Sequence, residues 1–194
     1  MSRLAPLLAP RSVAVIGASA DPARIGGTPL RCLAEWGFAG AVYPVNPKYE
    51  RIRDWPCFPD VAALPEAPDL AILAVGAPEV LPQLRALHAR GVPAAMVYAS
   101  GFEEEASAEG AARGTALAAF ARETGMAICG PNCMGGANYA TRAYTAFVPS
   151  FMVDDPPGDT AVIAQSGNIC AVLWRHCRDA GLRFSHVINT GNET

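Results

Sequence analysis

The chain has 194 residues, of which 51% are hydrophobic and 17% charged, which is enough for one full domain with a sizeable core and part of another. Its formal net charge of −3 excludes a general attraction to nucleic acid, so any anion-binding site must be local. No apolar run approaches the length of a membrane span, so we expect neither nucleic acid nor a membrane as a partner.

The N-terminal segment MSRLAPLLAPRS has too short an apolar part and too many prolines for a signal peptide. The six cysteines include no C-x-x-C pair, so we predict a cytoplasmic protein with reduced thiols. Two groups could be considered as metal ligands: Cys129 with Cys133, and His176 with Cys177 and His186. Their spacings match no zinc pattern, and the sequence therefore predicts no metal site.

Short apolar runs alternate with longer amphipathic stretches along most of the chain. The predicted strands are SVAVIG, AVYPVNP, DLAILAV, PAAMVYAS and MAICG, and the predicted helices are TPLRCLAEWG, APEVLPQLRALHARG and EEEASAEGAARGTALAAFARETG. In the first helix, Thr28 is the predicted N-cap, Pro29 the first helical residue and Gly37 the residue after the end. This alternation predicts an α/β fold with a Rossmann-like doubly wound parallel sheet, covered on both faces, in residues 1–145.

A proline- and aspartate-rich segment, VPSFMVDDPPGD, predicts a linker over residues 146–158. The strand and helix pattern then restarts in residues 159–194 with TAVIAQSG, NICAVLWRHCRDAG and FSHVINTGNE. This is one βαβ unit, which cannot cover a sheet by itself. We therefore expect it to pack against the first domain, or to be the start of a larger domain that is truncated here.

The turn after the first strand is a candidate phosphate site. A helix N-terminus exposes unpaired N–H groups and a partial positive charge, and the glycines between Gly17 and Gly27 would let a phosphate approach them. The spacing departs from G-x-G-x-x-G, and no Walker A lysine follows. From this loop alone, an ordinary α/β connection remains an equal alternative.

The end of the second strand, YPVNPKYE, narrows the choice of nucleotide. An NAD site normally has Asp or Glu there, whereas this chain has Lys48, which favours a phosphate on the ribose. That leaves NADP, or coenzyme A with its 3′-phosphate. Arg24 is a second cation in the first loop, and an ordinary solvated role is the alternative for both side chains.

Seven segments then follow one another in a recognisable order. They are VAVIGAS with RIGG, YPVNPK, PDLAILAV with AP, GVPAAMVYASGFEE, GPNCMG, AVIAQSGN and SHVINTGNE. Together they resemble the CoA-binding part of the NDP-forming acyl-CoA synthetases, the superfamily that includes the succinyl-CoA synthetase alpha subunit. The resemblance covers essentially the whole chain, and it implies that the last unit begins a flavodoxin-like ligase domain.

The resemblance implies that the Gly17–Gly27 loop holds the CoA phosphates, and that Asn46 and Lys48 approach the adenosine and its phosphate. It also implies that the turns after the third and fourth strands flank the adenine or pantetheine, and that Asn132 lies near the thiol. All these turns follow the carboxyl ends of strands, where open α/β sheets bind ligands. The implied CoA-binding residues are Gly17, Ala18, Ser19, Arg24, Gly26, Asn46, Lys48, Val75, Gly76, Ala77, Ala99, Ser100, Gly101 and Asn132. Families of this kind have proline where this chain has Gly76.

The turn at Ser166, Gly167 and Asn168 begins another predicted helix, which Ser166 is placed to cap. A nucleophilic serine is not supported, because the segment does not follow G-x-S-x-G. In the resembled enzymes this helix start binds the phosphate of a phosphohistidine. The glutamates of GFEEE are interpreted as acidic residues at a helix start rather than as an acid–base site.

The resembled reaction needs a histidine downstream of the GNE turn, and none of His88, His176 and His186 corresponds to it. We therefore predict no catalytic residue in this chain. The resemblance implies a partner, an ATP-grasp domain or beta subunit, that binds the nucleotide and Mg²⁺. The implied function is the CoA-binding portion of an acyl-CoA synthetase acting on a small carboxylic acid. The alternatives are a non-catalytic CoA-binding or regulatory protein, a fused acyltransferase module, and an NADP-dependent oxidoreductase.

Overall fold

The structure is a computed structural model that describes residues 3–193, in which helices pack around a five-stranded and a four-stranded sheet, accompanied by a two-stranded sheet. The strands are β1 (Ser12–Ile16), β2 (Ala41–Val45), β3 (Arg51–Ile52), β4 (Trp55–Pro56), β5 (Leu70–Leu73), β6 (Ala94–Val97), β7 (Ala127–Cys129), β8 (Gly135–Asn138), β9 (Ala143–Tyr144), β10 (Thr160–Ala164) and β11 (Phe184–Asn189). The α-helices are α1 (Ala5–Leu8), α2 (Thr28–Trp36), α3 (Ala77–Ala89), α4 (Ala108–Thr124) and α5 (Gly167–Asp179).

The larger sheet is parallel, with the strand order β2-β1-β5-β6-β7. Successive residues of β1 point to opposite faces: Val13 and Val15 pack into one buried cluster, and Ala14 and Ile16 into another. Near-continuous apolar strands are what a sheet covered on both faces requires. The predicted doubly wound α/β architecture is confirmed.

Two predicted helix starts are wrong. The first helix begins at Thr28 with Gly27 as the N-cap, and the Thr28 hydroxyl donates to the carbonyls of Pro22 and Arg24 at 3.1 and 3.2 Å instead of capping. Gly37 follows the helix end in the left-handed conformation, as predicted. The acidic residues Glu103–Glu105 form a separate 3₁₀ turn, because Ser107 caps α4 by accepting from the Gly110 N–H at 3.0 Å.

The smaller sheet has the order β10-β11-β8-β9. β10 and β11 are parallel, whereas β8 pairs antiparallel with β11 and forms a hairpin with β9. Sheet pairing therefore spans the predicted boundary at residue 145, because the hairpin precedes it and β11 follows the predicted linker. The division into residues 1–145, 146–158 and 159–194 remains a prediction.

The βαβ unit of β10, α5 and β11 packs against the preceding part of the chain. The Trp174 indole of α5 donates to the Tyr139 hydroxyl at 2.9 Å. In the segment that precedes β10, the Val153 carbonyl accepts from the Trp36 indole at 3.0 Å. Both tryptophans lie in one buried cluster together with Val13 of the larger sheet. Within residues 3–193, no helix combines the length and apolar character needed to cross a membrane.

Candidate functional site

The loop after β1 is folded tightly enough to require its glycines. Gly17 has φ +82°, and a Cβ atom there would lie 2.4 Å from the Ala74 carbonyl oxygen. A Cβ on Gly26 would lie 2.1 Å from the Gly17 carbonyl oxygen, and one on Gly27 would lie 1.9 Å from that of Asp21. Two segments of the loop backbone therefore lie in close contact at the start of α2, and only glycine fits at these positions.

Side chains close the same loop. The Ser19 hydroxyl accepts from the Asp21 N–H at 3.1 Å, and the Ser19 N–H donates to the Gly26 carbonyl at 3.3 Å. Ser19 is buried, whereas the Arg24 side chain is exposed and lies 3.7 Å from the Asp21 carboxylate. Arg24 is thus a solvated cation at the rim of the loop.

Asn46 joins this loop to the end of β2. Its side-chain amide donates to the Ala18 carbonyl at 2.7 Å and accepts from the Lys48 N–H at 3.0 Å. The structure therefore gives Asn46 a bracing role that the sequence analysis did not include. Lys48 is exposed beside it, so two cations, Lys48 and Arg24, stand on loops that contact each other.

The turn after β5 lies against the first loop. The Ala74 N–H donates to the Ile16 carbonyl at 2.8 Å. A Cβ atom on Gly17 would lie 3.0 Å from the Cγ1 atom of Val75. Gly76 is exposed and is the N-cap of α3, followed by Ala77 as the first helical residue. Val75, Gly76 and Ala77 therefore form one surface with the Gly17 turn.

The loops after β6 and β7 also meet. The Asn132 N–H donates to the Ala99 carbonyl at 2.8 Å, and Asn132 is exposed with φ +55°. Ser100 is exposed beside Ala99, whereas Gly101 is buried. The predicted pantetheine residues are thus contiguous, at the carboxyl edge of the parallel sheet.

The start of α5 is held beside this edge by a residue that the sequence analysis missed. Asn189, at the end of β11, is only 1% exposed. Its amide donates to the carbonyls of Ala164 and Gln165 at 3.1 and 2.7 Å, and accepts from the Met134 N–H. A polar side chain at a strand end was a usable signal, but Asn189 ends a strand for which no ligand role was expected.

Ser166 is the N-cap of α5, as predicted, with its hydroxyl accepting from the Ile169 N–H at 3.5 Å. A Cβ on Gly167 would lie 3.5 Å from the Met134 sulfur, so this helix start lies next to the GPNCMG segment. Asn168 is exposed in the first turn. Several unpaired N–H groups and the positive end of the helix dipole are therefore available to an anion here.

The buried thiols of Cys32 and Cys170 offer no comparable chemistry. All six thiols are free, and burial raises the pKa of Cys32 and of Cys170 to about 11. Thiols held protonated in this way are poor nucleophiles and poor metal ligands. Among residues 3–193 there is no group of three or more His, Cys, Asp and Glu side chains arranged to hold a metal.

Comparison with known proteins agrees with this geometry. Residues 11–139 match the family described as CoA binding domain. The chain belongs to this family. Residues 157–194 match the succinyl-CoA ligase like flavodoxin domain, so the second family begins where the βαβ unit does.

The relatives are much longer than this chain. A trans-feruloyl-CoA synthase of unknown prokaryotic origin is 43% identical over 189 residues, which cover 96% of this chain and 27% of that protein. The acetate–CoA ligase [ADP-forming] I of Archaeoglobus fulgidus is 36% identical, over 96% of this chain and 26% of its own length.

A solved structure has the same fold. It is the dinucleotide forming acetyl-coenzyme A synthetase 1 of Ca. Korarchaeum cryptofilum in complex with phosphate and ADP, 33% identical with a TM-score of 0.88. The match covers 98% of this chain and 40% of that one. The chain thus spans about a quarter to two fifths of the length of these relatives.

Proposed function

We propose that this chain is the CoA-binding portion of an NDP-forming acyl-CoA synthetase. The main support is the convergence of five loops on one edge: those after β1, β2, β5, β6 and β7. They meet through the bonds of Asn46 to Ala18 and of Asn132 to Ala99. The start of α5 lies next to them, so a long anionic ligand and a second phosphate could be bound side by side.

The proposed ligand extends from the two loops that carry Arg24 and Lys48 to Asn132. The Gly17–Gly27 loop would bind the CoA phosphates, and Lys48 would donate a hydrogen bond to the 3′-phosphate on the adenosine. Val75, Gly76, Ala77, Ala99, Ser100 and Gly101 would border the adenine and the pantetheine arm. In the whole enzyme, the CoA thiol would attack the carbonyl carbon of an acyl phosphate, and inorganic phosphate would leave.

The phosphoryl donor must come from another part of the protein or from a partner. The start of α5 at Ser166, Gly167 and Asn168 would bind the phosphate of a phosphohistidine. His176 lies on the same helix ten residues after Ser166, about 15 Å along the axis. We therefore propose an ATP-grasp domain or beta subunit as the partner, which would bind the nucleotide and Mg²⁺, and a small carboxylic acid as the acyl substrate.

Calorimetric titration with CoA and with NADP tests the proposed function. We expect CoA to bind and NADP to bind at least about tenfold more weakly, because a 2′-phosphate would not reach Lys48 in the same way. An NADP-dependent oxidoreductase would give the opposite order. Tight NADP binding without CoA binding would overturn the proposal.

Lys48→Ala is expected to weaken CoA binding by roughly 1–3 kcal/mol, about 5- to 150-fold, and to leave 3′-dephospho-CoA nearly unaffected. The reason is that a charge-assisted hydrogen bond to the 3′-phosphate is lost only where that phosphate exists. Calorimetry with both ligands measures the difference. Arg51→Ala, which removes an exposed cation from the neighbouring β3, is the matched control and should change neither affinity. Equal losses for both ligands in Lys48→Ala would remove the assigned role.

A further inference from the structure

We propose that Glu104 is a positioning residue that acts through Asn192 on Asn132, and so sets the thiol end of the ligand site. This inference rests on the proposed function. Glu104 belongs to the 3₁₀ turn after β6, Asn132 to the loop after β7, and Asn192 to the turn after β11. The three residues thus follow strands of both the five-stranded and the four-stranded sheet.

The Glu104 carboxylate is bound by three donors. Its Oε1 atom accepts from the N–H groups of Gly101 and Phe102 at 2.6 and 3.2 Å. Its Oε2 atom accepts from the side-chain amide of Asn192, which is 88 residues away in the chain. One side chain therefore fixes the loop proposed to line the pantetheine arm and ties it to the end of β11.

Asn192 continues the network to the ligand edge. Its Oδ1 atom accepts from the Asn132 side-chain amide at 3.3 Å, and its backbone N–H donates to the Pro131 carbonyl at 2.9 Å. A Cβ on Gly191 would lie 2.2 Å from that same carbonyl oxygen. The turn after β11 is therefore seated directly on the GPNCMG loop.

The hydrogen bonds of this network can form with only one orientation of the Asn192 side-chain amide. A carboxylate can only accept, so Glu104 requires the nitrogen of the Asn192 amide to face it, which leaves the Asn192 oxygen for Asn132. Asn132 then uses its nitrogen, and its own side-chain oxygen remains on the exposed side to accept from a ligand N–H, such as a pantetheine amide. The orientation of Asn132 thus depends on a charge two residues away along the network.

The charge is maintained at neutral pH. Burial acts to raise the pKa of Glu104, but the hydrogen bonds from Asn192 and from the N–H groups of Gly101 and Phe102 outweigh it and hold the pKa below its usual value. The Glu104 carboxylate is therefore an acceptor at neutral pH, and the Asn192 amide keeps its nitrogen turned towards it.

Exchanging the hydrogen-bond donor and acceptor between Glu104 and Asn192 tests this role. Glu104→Gln places an amide nitrogen against the Asn192 nitrogen, and Asn192→Asp places a second carboxylate against Glu104. Each single substitution should therefore weaken CoA binding about 5- to 30-fold. The double variant Glu104→Gln/Asn192→Asp restores a donor facing an acceptor, and still offers Asn132 an oxygen. We expect it to recover CoA affinity to within about threefold of the original protein.

A ligand without the pantetheine arm distinguishes a changed orientation of Asn132 from a general loss of protein structure. Adenosine 3′,5′-bisphosphate lacks the pantetheine arm, so its affinity should be unchanged in all three variants. Glu105→Gln, one residue along on the same turn and exposed, is the control and should change neither affinity. Equal weakening of both ligands, or a double variant no better than the single variants, would overturn the assignment.

Amide hydrogen exchange tests the network without any ligand. Glu104→Ala should accelerate exchange at Gly101 and Phe102, and Glu105→Ala should not. Unchanged exchange in Glu104→Ala overturns the network itself. If the original protein binds no CoA, the proposed function fails together with the role toward CoA, and the exchange result still decides whether the Glu104 carboxylate holds the Gly101 and Phe102 N–H groups.

Discussion

Asn189→Ala is expected to lower the free energy of unfolding by about 2–4 kcal/mol, measured by urea denaturation. The side chain is 1% exposed and satisfies the N–H of Met134 and the carbonyls of Ala164 and Gln165. Its removal leaves the Met134 N–H and the Gln165 carbonyl without this partner, whereas the Ala164 carbonyl keeps the Thr190 N–H at 3.0 Å. Each lost partner costs free energy. The loop that begins α5 should loosen as a consequence.

Two further variants show whether hydrogen bonding is the cause. Asn168→Ala removes an exposed amide from the first turn of α5 and should change stability by no more than about 0.5 kcal/mol. Asn189→Asp keeps an acceptor for Met134 but turns an oxygen towards two carbonyls, so it should be at least as destabilising as alanine. If Asn189→Ala costs no more than Asn168→Ala, Asn189 does not brace this turn.

Gly26→Ala should destabilise the protein by about 2–4 kcal/mol and abolish measurable CoA binding. The new Cβ would lie 2.1 Å from the Gly17 carbonyl oxygen, and that atom belongs to backbone which no rotamer change can move. The loop must open to accommodate it, and the surface proposed to bind the CoA phosphates is then lost. Thermal unfolding and calorimetry measure the two effects.

Gly76→Ala is the matched control for this substitution. Gly76 has φ −67°, and the nearest atom to an added Cβ is the Pro78 Cδ at 3.8 Å, so alanine fits without movement. We expect a change in stability within about 0.5 kcal/mol. Equal effects of the two substitutions would contradict the close packing inferred for the first loop.

The larger sheet could be predicted because each of its strands is a compact apolar run, as in DLAILAV, and is followed by a helical stretch. The hairpin of β8 and β9 was missed, since GGAN combines two glycines with a polar residue and β9 has only two residues. The start of α4 was misplaced because three glutamates are compatible with a helix. The Ser107 cap, which decides the boundary, is a local signal that was available.

The candidate site was predicted in outline because strand ends in a parallel sheet share an edge. The residues that brace it were not, since their partners are distant in the chain: Asn189 contacts Met134 across 55 residues, and Glu104 contacts Asn192 across 88. Asn46 was predicted as a ligand contact, whereas its amide is engaged with Ala18 and Lys48. The assignment of the individual CoA contacts stays a prediction.

Titration of CoA into the isotopically labelled protein, followed by backbone amide chemical shifts, tests the central claim most directly. We expect the largest shifts at the loops after β1, β5, β6 and β7, with Ala18, Ser19, Ser100 and Asn132 among them. NADP at the same concentration should cause little change. Shifts confined to other surfaces, such as the groove between α3 and α4 lined by Leu81 and Ala116, or shifts produced by NADP alone, would contradict the proposed CoA site.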